Sequence, residues 1–185
     1  TAENKDVIYG DAIPEYTATY SGWKNSDDES VVTGLVYTCE YAPTSNVGEY
    51  TITPSGATAQ NYAISYTNGK ITVAQATLTV TAENKTVTYG DAAPEFTVTY
   101  SGWKNSDDAS VVSNLAYTCD YLVTSNVGNY TITPHSATAL NYAFVYVNGT
   151  LTVNQAALMI TAENKDVIYG DAVPEYTATY SGWKN

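Results

Sequence analysis

The residues able to do chemistry in this chain are few, and most of them recur. Two pairs of adjacent carboxylates, Asp27-Asp28 and Asp107-Asp108, occupy matching places in the sequence. Paired carboxylates on a loop suit a hard cation such as calcium. No Asp-x-Asp-x-Asp-Gly loop accompanies them, and the same residues read as the acidic first turn of a helix, favoured by the helix dipole. No cofactor is therefore expected, and calcium is the one metal the pairs would suit. Asp11, Asp91 and Asp171 each follow Tyr-Gly, where Asp favours a turn through local hydrogen bonds. Cys39 and Cys119 stand at equivalent positions, one thiol per copy, which is not a disulfide framework. A Cys–His catalytic pair would need His135, whose counterpart is Ser55. A mechanism cannot rest on a group that half the copies lack, so each Cys reads as a small buried hydrophobe.

Lys5/Lys85 and Lys24/Lys104 recur among many Asn and acidic residues. These are the ingredients of an intramolecular Lys–Asn bond, which needs a buried lysine beside an acid. Trp23, Trp103 and Trp183 each follow Gly. An indole can stack on sugar rings, so Trp23 and Trp103 are the candidate ligand-binding residues. The competing role is packing within a core or between copies. Asn84-Lys-Thr86, Asn129-Tyr-Thr131 and Asn148-Gly-Thr150 match the glycosylation acceptor pattern, a three-residue pattern that also recurs by chance.

Composition excludes several classes. Acidic residues outnumber lysines 19 to 7, Arg is absent, and the net charge is −12. Such a chain repels phosphate backbones and anionic membranes and lacks a bidentate base reader, so no nucleic-acid partner is expected. No apolar run approaches the roughly 18 residues of a membrane span, so no direct membrane insertion is expected. The chain starts and stops inside a repeat and reads as an excised fragment, so the lack of a leader or anchor motif carries no information. A hydrophobic fraction of 44% is enough to bury a core, and 18 Tyr against 2 Phe lean it towards pleated surfaces.

TAENK returns at Thr1, Thr81 and Thr161, a period of 80 residues, and about 55 of the 80 positions agree between the first two copies. The third copy ends at Asn185 and differs from the first only in Val173 for Ile13. Exchanges are mostly apolar for apolar, as two copies of one fold require. Alternation puts Tyr130 and Ile132, and likewise Phe96, Val98 and Tyr100, on inward faces. Tyr142–Val153 reads as a hairpin closed by a type I′ turn at Asn148-Gly149, with Tyr142, Phe144, Tyr146, Leu151 and Val153 on one face. Ser26 and Glu29 fit a capping box that opens a short helix, placing Val31, Val32 and Leu35 over a sheet. The second copy keeps Ser106 but has Ala109, so the reciprocal cap is lost. The predicted fold is mainly β: tandem small modules, β-grasp-like with one short helix each. An immunoglobulin-like β-sandwich is the alternative if the Ser-Asp-Asp segment is only a turn.

The modules divide as 1–75, 76–155 and a partial third over 156–185. The joins at Gln75-Ala76 and Gln155-Ala-Ala hold no flexible linker, which predicts a stiff rod of repeats packed on neighbouring repeats. A lone hairpin is marginal in water, so 161–185 is expected to pair with a neighbouring unit or to exchange strands with another chain.

Each copy combines Lys-x-Val-x-Tyr-Gly-Asp-Ala-x-Pro, Ser-Gly-Trp-x-Asn, Gly-x-Tyr-Thr-Ile-Thr-Pro and closing Asn-Tyr, Asn-Gly and Thr-Val motifs. In this order they resemble the MBG domain of the Tyr-Gly-x type, found in arrays in bacterial surface proteins and adhesins. Trp23, Trp103 and Trp183 depart from the large aliphatic or Phe expected there. The resemblance frames Ala76–Asn154 as the complete unit and leaves the first copy short of its leading strand. It implies an extracellular, bacterial cell-surface, non-catalytic role: a rigid stalk or spacer of an adhesin, not an enzyme. The alternative role is a module that binds a host glycan or protein.

Overall fold

The alternation of Tyr and aliphatic side chains with Thr resolves into strands throughout the computed structural model, which describes residues 1–184. The first copy supplies β1 (Lys5–Ile8), β2 (Val36–Thr38), β3 (Gly48–Ser55) and β4 (Gly69–Ala74). The second supplies β5 (Ala76–Ala82), β6 (Lys85–Thr88), β7 (Val98–Ser101), β8 (Ala116–Thr118), β9 (Gly128–His135), β10 (Tyr142–Val147) and β11 (Gly149–Asn154). The third adds β12 (Met159–Ala162) and β13 (Ala178–Ser181). The expected mainly β class holds.

Both full copies build the same four-stranded sheet, ordered β1-β4-β3-β2 and β6-β11-β9-β8. The register repeats as well. Lys5 lies opposite Ile71 in the parallel β1/β4 pair, as Lys85 lies opposite Leu151. Gly48 faces Val73 in the antiparallel β3/β4 pair, as Gly128 faces Val153. Period-2 burial explains the choice of residues: Ile52, Ile71, Ile132 and Leu151 are wholly buried, and the intervening Thr and Lys are not. Each such aliphatic side chain stabilises the fold by roughly 1.5–3 kcal/mol.

A further sheet, ordered β10-β5-β7, has no complete counterpart in the first copy. There Tyr62–Thr67 and Thr19–Ser21 carry no strand, and a single bridge joins Ala2 to Ala18. The difference lies at the centre: β5 occupies the middle of the sheet in the second copy, and among the described residues of the first copy Thr1 and Ala2 lie at that place. One residue, Gln75, separates β4 from β5.

Two expectations need correction. The Asn148-Gly149 pair does not close a hairpin, because β10 pairs with β5 whereas β11 pairs with β6 and β9. Neither Asn148 nor Gly149 has the positive φ that a type I′ turn demands. The chain passes directly from one sheet into another. Gly149 is needed because a Cβ there would stand 2.7 Å from the Ala82 carbonyl oxygen, and Gly69 repeats this with the Glu3 carbonyl at 2.7 Å.

The helix over the sheet is also absent. Glu29–Val31 and Ala109–Val111 form one 3-10 turn each. Asn25 and Ser26 have φ of 54° and 63°, and the Asp27 amide donates to the Lys24 carbonyl at 2.9 Å. Two consecutive left-handed residues make a type I′ turn there, which removes Ser26 from any capping position. Asp28 caps instead, accepting from the Ser30 amide at 2.9 Å, and Asp108 accepts from Ser110 at 2.8 Å. Replacing Glu29 by Ala109 is therefore harmless. Val31 and Val111 stay exposed, while Val32 and Leu35 are half-buried.

The chain forms two compact units. The first comprises Thr1–Thr79, Tyr100–Leu115 and Ser136–Val145; the second comprises Val80–Thr99, Ala116–His135 and the residues from Tyr146 on. The core of the first contains Tyr9, Tyr41, Ile52, Ile71, Leu78 and Tyr142, with Trp103 and Phe144 packed against it. That of the second contains Ala82, Tyr121, Ile132, Leu151 and Val153. The first unit thus draws core residues from both sequence copies.

Candidate interaction surfaces

Within the first unit, residues of the first copy meet residues of the second around one carboxylate. The Tyr142 hydroxyl donates to Asp107 Oδ2 at 2.8 Å and the Tyr9 hydroxyl donates to the same oxygen at 3.1 Å. The two rings stand edge to face, with centroids 5.6 Å apart. The Lys104 amide donates to Tyr142 Oη at 2.9 Å. Burial pushes the Tyr142 hydroxyl up to about 12; the Lys104 backbone opposes this and the Asp107 carboxylate adds to it. The first copy reproduces the inner part of the cluster, with Tyr62 donating to Asp27 Oδ2 at 2.8 Å and accepting from the Lys24 amide at 2.9 Å.

Around this cluster the contact is tight. Gly10 has φ of 89°, and a Cβ there would fall 2.7 Å from Lys104 Cβ. Asn141 Oδ1 accepts from the Val47 amide at 3.1 Å, its Nδ2 donates to Asn46 Oδ1 at 2.8 Å, and Asn105 Nδ2 donates to the Pro43 carbonyl at 2.8 Å. Lys104 Nζ sits 3.8 Å from Asp11 Oδ1, both well exposed, so this pair is solvent-screened and contributes little.

The second unit repeats the pattern with the third copy. A Cβ on Gly90 would lie 2.6 Å from Lys184 Cβ, and Lys184 Nζ lies 2.9 Å from Asp91 Oδ1. The Lys184 ammonium holds the Asp91 carboxyl below its ordinary range. The Tyr-Gly-Asp motif of one copy therefore meets the lysine after the Trp of the next copy, once in each unit.

The sequence-predicted site residues take their places around these contacts. Trp103 is half-buried, its ring 5.2 Å from Tyr100 and edge-on to Tyr142 at 5.5 Å. Trp23 is likewise half-buried, 5.7 Å from Tyr20 and 5.6 Å from Tyr62. Both indoles pack against tyrosines. Trp183 is 72% exposed. Asp11 and Asp171 act as turn residues, accepting from the amides of Ile8 at 2.9 Å and Ile168 at 3.2 Å.

The carboxylate pairs are occupied by tyrosine and capping contacts. Among the described residues no three His, Cys, Asp or Glu side chains gather as a metal would require. Cys39 packs against the first core, beside Tyr16, whose hydroxyl is pushed up to about 12 by burial and by the neighbouring thiol. Lys5 Nζ donates to Thr17 Oγ1 at 2.6 Å and lies 3.5 Å from Glu3 Oε2, while Thr17 also donates to Glu3. Thr17, with Lys5 assisting, holds Glu3 below its ordinary range. Thr97 and Lys85 do the same to Glu83, as Thr177 and Lys165 do to Glu163.

Two of the surface clefts are lined in part by Trp23 and Trp183. One, of about 210 Å³ in the first unit, runs between Ala18–Ser21 and Tyr62–Thr67. The other lies in the second unit, where Tyr89, Asn126, Gln155, Leu158 and Trp183 line about 660 Å³. The sequence reading missed the Tyr9–Asp107–Tyr142 cluster. Its only advance signal was that Tyr-Gly, Asp-Asp and Asn-Tyr all recur at the same period.

No curated protein is similar enough to the chain to stand as a relative. The family of the MBG domain (YGX type) matches residues 1–72 and again residues 78–152. With both stretches folded into the same sheet in the same register, the chain belongs to the MBG domain (YGX type) family, as two tandem copies.

Proposed function

We propose that the chain is a non-catalytic repeat module whose role is to hold distance, a stiff spacer in an extracellular adhesin on a bacterial surface. The observation that carries this reading is the recurrence of one copy-to-copy contact. Gly10 on Lys104 and Gly90 on Lys184 use the same residue types at the same period. A contact that leaves no room for a Cβ fixes how one copy follows the next, and additive nearest-neighbour contacts are how repeat proteins gain length. Family membership supports it further, because this is a family of structural repeats of surface proteins and not a known enzyme family. The Trp23 and Trp103 indoles pack against tyrosines in tilted and edge-on contacts, which favours packing over ligand display.

Small-angle scattering on chains of two, three and four copies tests the spacer role. The maximum dimension is expected to grow by a constant step per copy, and collapse or curling with length would contradict it. A glycan array probed with the full chain separates the competing role. Binding that disappears in Trp23→Ala and Trp103→Ala would make this an adhesive module.

A further inference from the structure

In both full copies the strand that starts at the lysine of the Thr-Ala-Glu-Asn-Lys motif lies parallel to the last strand of that copy. In the first unit β1 runs beside β4, from Lys5 opposite Ile71 to Ile8 opposite Ala74. In the second unit β6 runs beside β11, from Lys85 opposite Leu151 to Thr88 opposite Asn154. Parallel neighbours need a long crossover, and here the crossover is nearly the whole copy. The direction matters for where the chain enters and leaves. Antiparallel pairing would bring the entering and leaving chain to one end of the ladder. Parallel pairing sets them at opposite ends.

Each ladder is lengthened at both ends by the same pair of bonds. Just before β1, Asn4 Oδ1 accepts from the Lys70 amide at 3.0 Å; just before β6, Asn84 Oδ1 accepts from the Thr150 amide at 2.8 Å. Past the far end, the Tyr9 amide donates to the Ala74 carbonyl at 2.9 Å and the Tyr89 amide to the Asn154 carbonyl at 2.8 Å. The inner face of each ladder is apolar. Ile71 and Leu151 are wholly buried, and Val7 and Val87 pack against the cores of their units.

We propose that the β1/β4 and β6/β11 ladders are mechanical clamps, one per copy, that resist unfolding when the chain is pulled along its length. Tension draws the leading strand towards its start and the last strand towards its end. In a parallel pair these pulls are opposed along one axis, so the strands must slide past each other and all the bonds of the ladder are strained together. A pull across the pair would break them one after another. The buried face adds to the resistance, because sliding drags Ile71 and Val73, or Leu151 and Val153, out of their places in the core. Asn4 and Asn84 are positioning residues of the clamp: each adds a bond at the end where tension enters. The use of such a clamp rests on the spacer reading, since a surface shaft is pulled through its ends; its geometry does not.

Single-molecule force spectroscopy on the full chain, held by its two ends, tests this. Two rupture events are expected, each releasing about 70 residues, roughly 230 Å of chain. The same chain is then pulled across the second ladder, through cysteines at Thr88→Cys and Asn154→Cys, which lie directly opposite each other, with Cys39→Ala and Cys119→Ala. Rupture there is expected at a force lower by at least about twofold, because forced unfolding follows the barrier along the direction of pull. Asn84→Ala should lower one end-to-end rupture force and leave the crosswise force unchanged, since its bond lies at the far end of the ladder from the pulled residues. Asn84→Asp keeps an acceptor oxygen and should restore it. Equal forces in the two directions would overturn the clamp, whatever scattering shows of the spacer. A loss in Asn84→Ala that is the same in both directions would overturn the role of that residue as part of it. A force ratio as expected upholds the clamp even where scattering contradicts the spacer, so the two readings fail separately.

Discussion

The ring of Tyr9 stands edge-on to that of Tyr142, and both hydroxyls converge on a single oxygen of Asp107. One residue comes from the first copy and two from the second, so the copies are knit through a polar knot set in an aromatic core. A hydrogen bond to a carboxylate is worth about 1.5–3 kcal/mol, and a buried donor left unpaired costs a similar amount. Asp107→Asn and Tyr142→Phe are therefore each expected to lower unfolding free energy by about 1–3 kcal/mol in urea titrations. The double variant should lose less than the sum, because the two share one interaction.

Alkaline pH should destabilise the first unit. The hydroxyls of Tyr142 and Tyr16 rise to about 12 in the fold from an ordinary 10. A group whose pKa is raised by folding contributes stability that is complete below its unfolded value and is lost as pH climbs through the folded one. Stability is thus expected to be flat to about pH 10 and to fall between about 10 and 12. Circular dichroism melts across that window, beside Tyr142→Phe, check it: the variant should show a shallower fall.

The left-handed Ser106, φ 64°, costs roughly 1 kcal/mol that Asn105 before it tolerates better. Ser106→Gly removes the Cβ strain and is expected to raise stability by a few tenths to about 1 kcal/mol, net of the added chain entropy. Ser106→Val at the same place should destabilise by more than that. Thermal melts of both variants give the comparison.

Gly149 serves close approach, not turning. Its φ is ordinary, yet a Cβ would collide with the carbonyls of Ala82 and Glu83, at 2.7 and 2.9 Å. Gly149→Ala is expected to cost about 2 kcal/mol or more, where a true hairpin glycine would show its penalty through φ alone. Urea denaturation of the variant measures this directly.

The strands were legible in the sequence because a period of two in Tyr, Ile and Val survives in both copies: Ile52 and Ile132, or Ile71 and Leu151, lie where alternation puts them. What pairs with what was not legible. Asn148-Gly149 carries the strongest short-range hairpin signal in the chain, and tertiary crowding at Ala82 explains that glycine instead. Ser26 and Glu29 have the spacing of a capping box, but the preceding Asn25 takes the left-handed conformation and moves the cap to Asp28. The Tyr9 cluster depends on contacts between copies, which no local window contains. Trp23 and Trp103 were visible as candidates by type alone; their tyrosine partners are set by folding.

The central claim is that a complete module needs the leading strand that follows Gln75, so that chemically similar segments differ in order between copies. Amide hydrogen exchange, residue by residue, tests it most directly. In a polypeptide of residues 1–185, residues 143–146 of β10, held against β5, are expected to exchange at least roughly a hundredfold more slowly than their counterparts 63–66, which carry no strand, measured where the polypeptide is monomeric. Equal protection of the two segments would contradict the account.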